Sequence, residues 1–226
     1  MHSLFNVSTD LILAQVLVPV TSFLLLTTTV LLTVFQRSLI YVPQMPPGSR
    51  TVVATPDAYG MAFDEVELEI GGASSSSEGK EGVAQTESVK VRMYVIRQRG
   101  ETSLGVPKVG ETIEEAEAWS RGRPTILMLH ANAGNLGHRL PIAHAFHKKL
   151  RCNVVMLSYR GYGHSTGKPT EAGILEDAQA ALDWIEADRI LGRGGEGGRC
   201  GVVVYGQSLG GAVAIGLVER NPHSVR

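Results

Sequence analysis

Three short, uninterrupted apolar runs constrain the fold of this chain most. They lie at residues 124–129 (PTILML), 153–157 (NVVML) and 202–205 (VVVY). Runs of this length are typical of strands that are buried on both faces of a parallel sheet covered by helices. Two amphipathic stretches, 140–150 and 171–185, separate the runs, and each carries its apolar residues on one helical face. The strand–helix–strand–helix–strand order therefore predicts an α/β fold with a mostly parallel sheet.

Two further strands are predicted upstream of these runs. Residues 63–70 and 89–96 both alternate apolar and polar side chains, which is the pattern of a half-buried strand. The segment between them, GGASSSSEGKEG, is of low complexity and predicts a mobile loop, so we expect the two strands to pair antiparallel. Residues 100–123 are polar and irregular, with a short helix near 114–119. Thr170 is placed to cap the helix that follows it.

The N-terminal part of the chain carries no charged residue between Asp10 and Arg37. As a helix, residues 11–35 would be about 37 Å long, enough to cross a hydrocarbon core of about 30 Å. A cleaved signal peptide is less well supported, because no Lys or Arg precedes the apolar run, and a core helix would rarely lack charge for so long. The resulting organisation is a tail at 1–10, a transmembrane anchor at 11–35, a juxtamembrane connector at 36–60 and a folded domain at 61–226.

The charges that flank the apolar run indicate an orientation. Arg37 and Arg50 follow the run, and the positive-inside rule then favours a cytosolic domain behind a single membrane span. The sequon Asn6-Val7-Ser8 would be a glycosylation candidate on the outer side. The Pro and Gly residues of the connector predict an extended path. Nothing in the sequence identifies which membrane is used.

Charge and cysteine usage exclude several classes of function. The 21 Lys and Arg residues nearly balance the 22 Asp and Glu residues, which gives a formal charge of −1. A nucleic-acid-binding protein needs a concentrated basic surface, so we expect no nucleic-acid partner. Cys152 and Cys200 belong to no CxxC or Cys/His cluster, so neither a disulfide framework nor a zinc site is predicted. We expect no metal and no cofactor.

The chemistry of the chain is concentrated at Gly206-Gln207-Ser208-Leu209-Gly210, a G-x-S-x-G sequence. It directly follows the strand VVVY and precedes an apolar helix rich in small residues. This is the strand–turn–helix setting of a nucleophile elbow, in which a serine occupies a strained position and glycines on either side permit the sharp turn. An ordinary turn between a strand and a helix, with glycines for packing, is the alternative. We predict that Ser208 is the nucleophile.

Four segments in this order resemble a branch of the α/β-hydrolase superfamily, the single-span, membrane-anchored abhydrolase-domain proteins. They are QRSLIYVP, HANAGNLGHRLP, LSYRGYGHSTGKPTEAGILEDAQAALDWI and VYGQSLGGAVAI. The resemblance implies a partial α/β-hydrolase fold that comprises the first five strands. It also implies a serine hydrolase that acts on an acyl ester, a thioester or a lipid-like ester at a membrane. The individual substrate stays open.

The loop after the strand at 124–129 is where α/β-hydrolases place their oxyanion loop. The backbone N–H groups of Asn132 and Leu209 would then form the oxyanion hole. We expect His130 to fix this loop rather than to act as the base, because a base approaches the serine from a later loop. The glycines at 161–167 have the wrong spacing for a dinucleotide site, so that loop is expected to line the pocket, with Arg160 in a polar network.

The resemblance has one departure. The superfamily order is serine, then acid, then histidine, but only residues 209–226 follow Ser208. His223 comes too soon to be the family histidine, and Asp177 and Asp183 precede the elbow. The sequence therefore predicts that this chain lacks the acid and the histidine of the triad, as a truncated product, an isoform or an incomplete gene model would. A non-catalytic membrane protein that uses the scaffold for binding, or an inactive truncated product, is the alternative function. A nucleotide-binding α/β protein is a weaker third.

Overall fold

The computed structural model describes residues 6–71, 88–100, 110, 112–192 and 201–225, with side chains from residue 13 onward. Most of the predicted loop between the first two strands, at 72–87, lies outside the described residues, as do 101–109 and 193–200. The chain divides into two compact units, Met1–Tyr41 and Val42–Arg226.

The first unit is one long helix, α1 (Asn6–Ile40). Its segment Leu13–Ile40 has a mean hydropathy of 2.0, so it is long and apolar enough to span a membrane. Hydroxyls at Thr21, Thr29 and Thr33 donate to carbonyls one turn back, which satisfies these polar groups within the apolar helix. The helix continues past the predicted end at residue 35, because the next five residues contain no Pro or Gly. It ends three residues before Pro43.

The second unit is a five-stranded sheet with the order β1-β2-β4-β3-β5. Its strands are β1 (Asp64–Ile70), β2 (Val89–Ile96), β3 (Thr125–Leu129), β4 (Asn153–Ser158) and β5 (Val202–Gly206). Its helices are α2 (Ile113–Arg121), α3 (Leu140–Lys148), α4 (Glu171–Ala187) and α5 (Leu209–Arg220). Every strand predicted from the sequence is present, and the α/β class is confirmed.

The strand directions follow from the connections. β1 pairs antiparallel with β2, as predicted, and β2 pairs antiparallel with β4. β3 pairs in parallel with both β4 and β5, because a helix returns the chain between them. Leu129 stands opposite Leu157 on one side and Gly206 on the other. The carboxyl ends of β3, β4 and β5 therefore meet at one edge of the sheet.

Burial differs among the parallel strands. Every residue of β3 and β4 is buried, which explains their continuous apolar sequences. Only Val202 of β5 is buried, and Val203 is 37% exposed. Beyond β5, Val225 makes a single parallel bridge to Val202. Thr170 caps α4 by accepting a hydrogen bond from the Gly173 N–H at 3.0 Å, as predicted.

The expectation of an extended connector is wrong. Residues 43–51 form consecutive turns, and a short 3₁₀ helix, Pro56–Tyr59, ends at Gly60 in the left-handed conformation. Pro and Gly supply the backbone angles that turns require as readily as those of extended chain, so composition alone did not separate the two.

Candidate functional site

The serine of the G-x-S-x-G sequence lies at the turn between β5 and α5. Ser208 has φ 53° and ψ −115°, a left-handed conformation that is rare for a residue with a side chain. Such a conformation costs about 1–3 kcal/mol and persists only where the surrounding structure imposes it. The residue is exposed, and its side chain makes no cap hydrogen bond to α5. The predicted sharp turn is therefore present, and it displays the hydroxyl to solvent.

Two glycines allow this turn, and each permits a different close approach. A Cβ on Gly206 would lie 2.2 Å from the carbonyl oxygen of Gly210, so the two flanks of the turn are in contact. A Cβ on Gly210 would lie 2.1 Å from the carbonyl oxygen of Leu129. The start of α5 thus packs directly on the end of β3, a contact that the sequence pattern did not reveal.

The amide groups at the start of α5 differ in whether they donate a hydrogen bond. The Gly210 and Gly211 N–H groups donate to the Gln207 and Ser208 carbonyls at 2.9 and 2.8 Å. Within the described part of the chain, no acceptor is found for the N–H of Leu209. This amide belongs to the first residue of α5, where the helix carries partial positive charge. It is therefore available to a negatively charged oxygen next to Ser208.

The loop after β3 begins with a buried histidine. The N–H of Tyr159 donates to His130 Nε2 at 3.4 Å, so the ring proton lies on Nδ1, which donates to the Ala131 carbonyl at 2.7 Å. The ring packs on the Tyr159 and Tyr162 rings, with centroids 4.2 and 5.0 Å away. Burial lowers the pKa of His130 to about 4. His130 is therefore neutral and joins two loops, which agrees with the structural role that we expected for it.

Asn132 lies two residues further along this loop, and its side chain accepts two hydrogen bonds. Its Oδ1 receives the Tyr162 hydroxyl at 2.6 Å and the Val42 N–H at 3.2 Å. The turn at Ser208 and this loop adjoin, because a Cβ on Gly210 would lie 2.9 Å from the His130 carbonyl oxygen. Asn132 and Leu209 thus occupy the same edge of the sheet, and their pairing as an oxyanion hole stays a prediction.

The loop after β4 is held by a buried ion pair. The Arg160 Nε and Nη2 atoms lie 2.9 and 2.8 Å from Asp177 Oδ1, and the Arg160 N–H donates to Oδ2 at 2.7 Å. Desolvation raises the pKa of Asp177, which is completely buried in α4. Arg160 therefore lies in the predicted polar network, and Asp177 is engaged in the fold. His164, in the same loop, is exposed.

Two polar residues at this edge escaped the sequence reasoning. Gln207 Oε1 is buried without a hydrogen-bond partner among the described residues, and it lines a small cavity with His130 and Arg139. Asn135 is buried and bonds to the segment after α1. The position of Gln207 inside the motif could have drawn attention to it. No periodic pattern marks Asn135. In the described ranges, no three His, Cys, Asp or Glu side chains are grouped to hold a metal ion.

Comparison with known proteins indicates the alpha/beta hydrolase fold. A family model for the alpha/beta hydrolase fold matches residues 124–226. The chain is similar to Protein bem46 of Schizosaccharomyces pombe, 38% identical over 187 residues that cover 83% of this chain and 50% of the relative. It is also similar to lysophosphatidylserine lipase ABHD12 of Gallus gallus, 40% identical over 106 residues, which are 46% of this chain and 26% of that one.

Structural similarity extends over more of the chain than the family model does. The crystal structure of an alpha-beta hydrolase from Vibrio vulnificus matches 84% of this chain and 55% of its own, with a TM-score of 0.52 and 16% identity. At this level of identity the match shows a shared fold. The chain spans about half the length of the curated relatives it matches.

Proposed function

We propose that this chain is a membrane-anchored serine hydrolase of the α/β-hydrolase superfamily that forms an acyl-enzyme at Ser208. One observation carries the proposal: an exposed serine is held in a left-handed conformation between β5 and α5, next to the Leu209 amide, which has no acceptor among the described residues. Strained residues cluster at active sites, and a helix N-terminus favours an oxyanion.

The proposed reaction has two steps. The Ser208 Oγ attacks the carbonyl carbon of the substrate as a base removes its proton. The carbonyl oxygen becomes an oxyanion, which the N–H groups of Asn132 and Leu209 stabilise. Collapse of this intermediate breaks the bond to the leaving alcohol or thiol, which takes up the proton. Water then releases the acyl group as a carboxylic acid in the reverse sequence of proton transfers.

The base is not assigned to His130. Both of its ring nitrogens are in use, and its lowered pKa of about 4 makes it a poor proton acceptor at neutral pH. Asp177 is equally unsuited as the triad acid, because Arg160 occupies both of its oxygens. The chain spans about half the length of its curated relatives, and the proposed activity is that of the whole protein, in which residues other than these two would supply the acid and the histidine.

The substrate class is proposed from the membrane helix and from one relative. The apolar helix α1 would keep the hydrolase unit near lipid, and ABHD12 of Gallus gallus is named a lysophosphatidylserine lipase. Both support an acyl-ester or lipid-like substrate that reaches the site from the membrane. Arg37 and Arg50 support a cytosolic location for the hydrolase unit.

The proposal is tested by ester turnover of the full-length protein in detergent micelles. The substrates are p-nitrophenyl esters from acetate to dodecanoate and a lysophospholipid series. We expect Ser208→Ala to lower kcat by about 10⁴-fold or more. Ser224→Ala, which changes another serine beyond α5, serves as the control and should leave turnover unchanged. Turnover that survives in Ser208→Ala would overturn the serine mechanism, and no turnover in any form would favour a binding scaffold.

A further inference from the structure

The segment that follows α1 is hydrogen-bonded to the loop after β3. We call residues 42–55 the linker segment and residues 130–137 the oxyanion loop. The Val42 N–H donates to Asn132 Oδ1 at 3.2 Å, and the Gly134 N–H donates to the Met45 carbonyl at 2.6 Å. The first of these bonds begins two residues after α1 ends at Ile40. The linker segment thus reaches the residue whose amide is proposed to bind the oxyanion.

Asn135 makes the central contact between the two segments. Its side chain is 1% exposed, and its Nδ2 donates to the Ser49 and Val52 carbonyls, each at 2.9 Å. Its Oδ1 accepts the His138 N–H at 3.3 Å, which caps the short 3₁₀ helix Leu136–Arg139. One side of this amide therefore holds the linker segment, and the other holds the oxyanion loop in its own turn.

The linker segment also packs closely on the oxyanion loop and bonds to the loop after β4. A Cβ on Gly137 would lie 2.6 Å from the backbone nitrogen of Ala54, so the two backbones touch without an intervening side chain. Arg50 Nη1 donates to the Ser165 carbonyl at 3.0 Å, in the loop that also supplies the Tyr162 hydroxyl to Asn132. The linker segment thus bonds both to the oxyanion loop, which contains Asn132, and to the loop after β4, which contacts Asn132 through Tyr162.

We infer that the linker segment positions the oxyanion hole, and that Asn135 of the oxyanion loop is the main positioning residue through its bonds to that segment. This inference rests on the proposed function. An oxyanion donor is effective only when it is held in place before the reaction, and a displacement of about 1 Å can cost about 10²-fold in rate. The oxyanion loop has little regular structure of its own, so its bonds to the linker segment supply that order.

The chain offers a matched pair of variants for the test. Asn135→Asp keeps the acceptor for the His138 N–H but removes both donors and places a carboxylate against two carbonyls. Asn153→Asp makes the same change at an equally buried residue, where Nδ2 donates to the Ser120 and Arg123 carbonyls. Asn153 begins β4 at the opposite edge of the sheet. A general loss of stability would affect both variants alike.

Two measurements on the full-length protein separate the effects. The first is the rate of covalent labelling of Ser208 by a fluorophosphonate, per folded molecule. We expect Asn135→Asp to lower the maximal labelling rate about 10- to 100-fold without a matching change in the half-saturating concentration. Asn153→Asp should stay within about twofold of the unchanged protein. The second is hydrogen exchange of the oxyanion-loop amides, which should speed up in Asn135→Asp alone.

Each outcome decides a different question. If the unchanged protein is labelled and Asn135→Asp is labelled equally fast, the positioning role is overturned and the proposed function stands. If the unchanged protein is not labelled at Ser208, the proposed function fails, and unchanged exchange in Asn135→Asp would then reject the positioning role as well. Should Asn135→Asp not fold, Arg50→Met removes only the bond to Ser165, and it should slow labelling by a few-fold.

Discussion

Polar residues lie at both ends of the parallel strands, and the two ends use them differently. At the amino end, Asn153 accepts hydrogen bonds from the Gln98 N–H and the Ser120 hydroxyl, each at 2.8 Å, and donates to two carbonyls. At the carboxyl end, Ser208 is exposed and strained, and the Leu209 amide beside it has no acceptor in the described ranges. We call the amino end the closed end, because its polar groups bond to one another. We call the carboxyl end the open end, because Ser208 and the Leu209 amide remain available to another molecule.

A functional site differs from buried polar structure in that its polar groups are not already satisfied by one another. Groups that satisfy one another stabilise the fold and leave nothing for a substrate. His130 shows that position alone does not decide the matter, because it lies at the carboxyl end yet both of its nitrogens are bonded. What marks Ser208 is a costly conformation together with an accessible hydroxyl and a neighbouring N–H that has no acceptor within the described part of the chain.

The largest effect on stability is expected when a side chain is added at Gly210, where the turn at Ser208 packs on the end of β3. A Cβ in Gly210→Ala would lie 2.1 Å from the Leu129 oxygen, so we expect a loss of about 4 kcal/mol or more in the free energy of unfolding. Gly211→Ala is the adjacent control, because its nearest atom is 3.8 Å away. It should be neutral or gain up to about 1 kcal/mol. Urea unfolding of both variants checks this, and equal effects would refute the elbow packing.

The pH dependence of the unfolding free energy tests whether His130 is buried in its neutral form. Its pKa is lowered to about 4 in the folded protein, so the neutral form stabilises the fold fully above the ordinary pKa of 6.5. As the pH falls from 6.5 towards 4, the unfolded state takes up a proton first, and about 3 kcal/mol of stability is lost. His130→Gln should lack this part of the pH dependence. Identical slopes in the two proteins between pH 6.5 and 4 would contradict the buried neutral ring.

A substitution at the closed end should affect stability without affecting chemistry. Asn153→Ala removes the oxygen that accepts from the Gln98 N–H and from the Ser120 hydroxyl, so we expect a loss of about 2 kcal/mol in unfolding free energy. Fluorophosphonate labelling of Ser208, per folded molecule, should stay within about twofold. A large fall in labelling would mean that the two ends are not independent.

The smallest effect is expected from relief of strain at the open end. Glycine adopts a left-handed backbone at little cost, so Ser208→Gly should raise the free energy of unfolding by about 1 kcal/mol. Thermal unfolding with Ser208→Ala as the comparison checks this, because Ala keeps the strain. A Ser208→Gly variant that is no more stable than Ser208→Ala would show that the conformation is not strained.

Much of the fold was predictable because its signals are local. Alternating residues gave β1 and β2 with their antiparallel pairing, and continuous apolar runs gave β3, β4 and β5. The turn at 206–210 followed from its glycines and its position between a strand and a helix. These features depend on periodicity and backbone sterics, which neighbouring residues determine.

The remainder depends on contacts between distant parts of the chain. The order that places β4 between β2 and β3 comes from crossover connections, which leave no local pattern. The bonds from Asn135 to Ser49 and Val52 join residues more than eighty positions apart. The connector was expected to be extended, but these bonds hold it in turns against the oxyanion loop.

The residue that a fluorophosphonate modifies covalently identifies the nucleophile. The full-length protein is treated with the probe, digested and analysed by tandem mass spectrometry. We predict a single phosphonyl adduct on Ser208, absent in Ser208→Ala and present in Ser224→Ala. An adduct on a different serine, or none on Ser208 in folded protein, would contradict the assignment of Ser208 as the nucleophile.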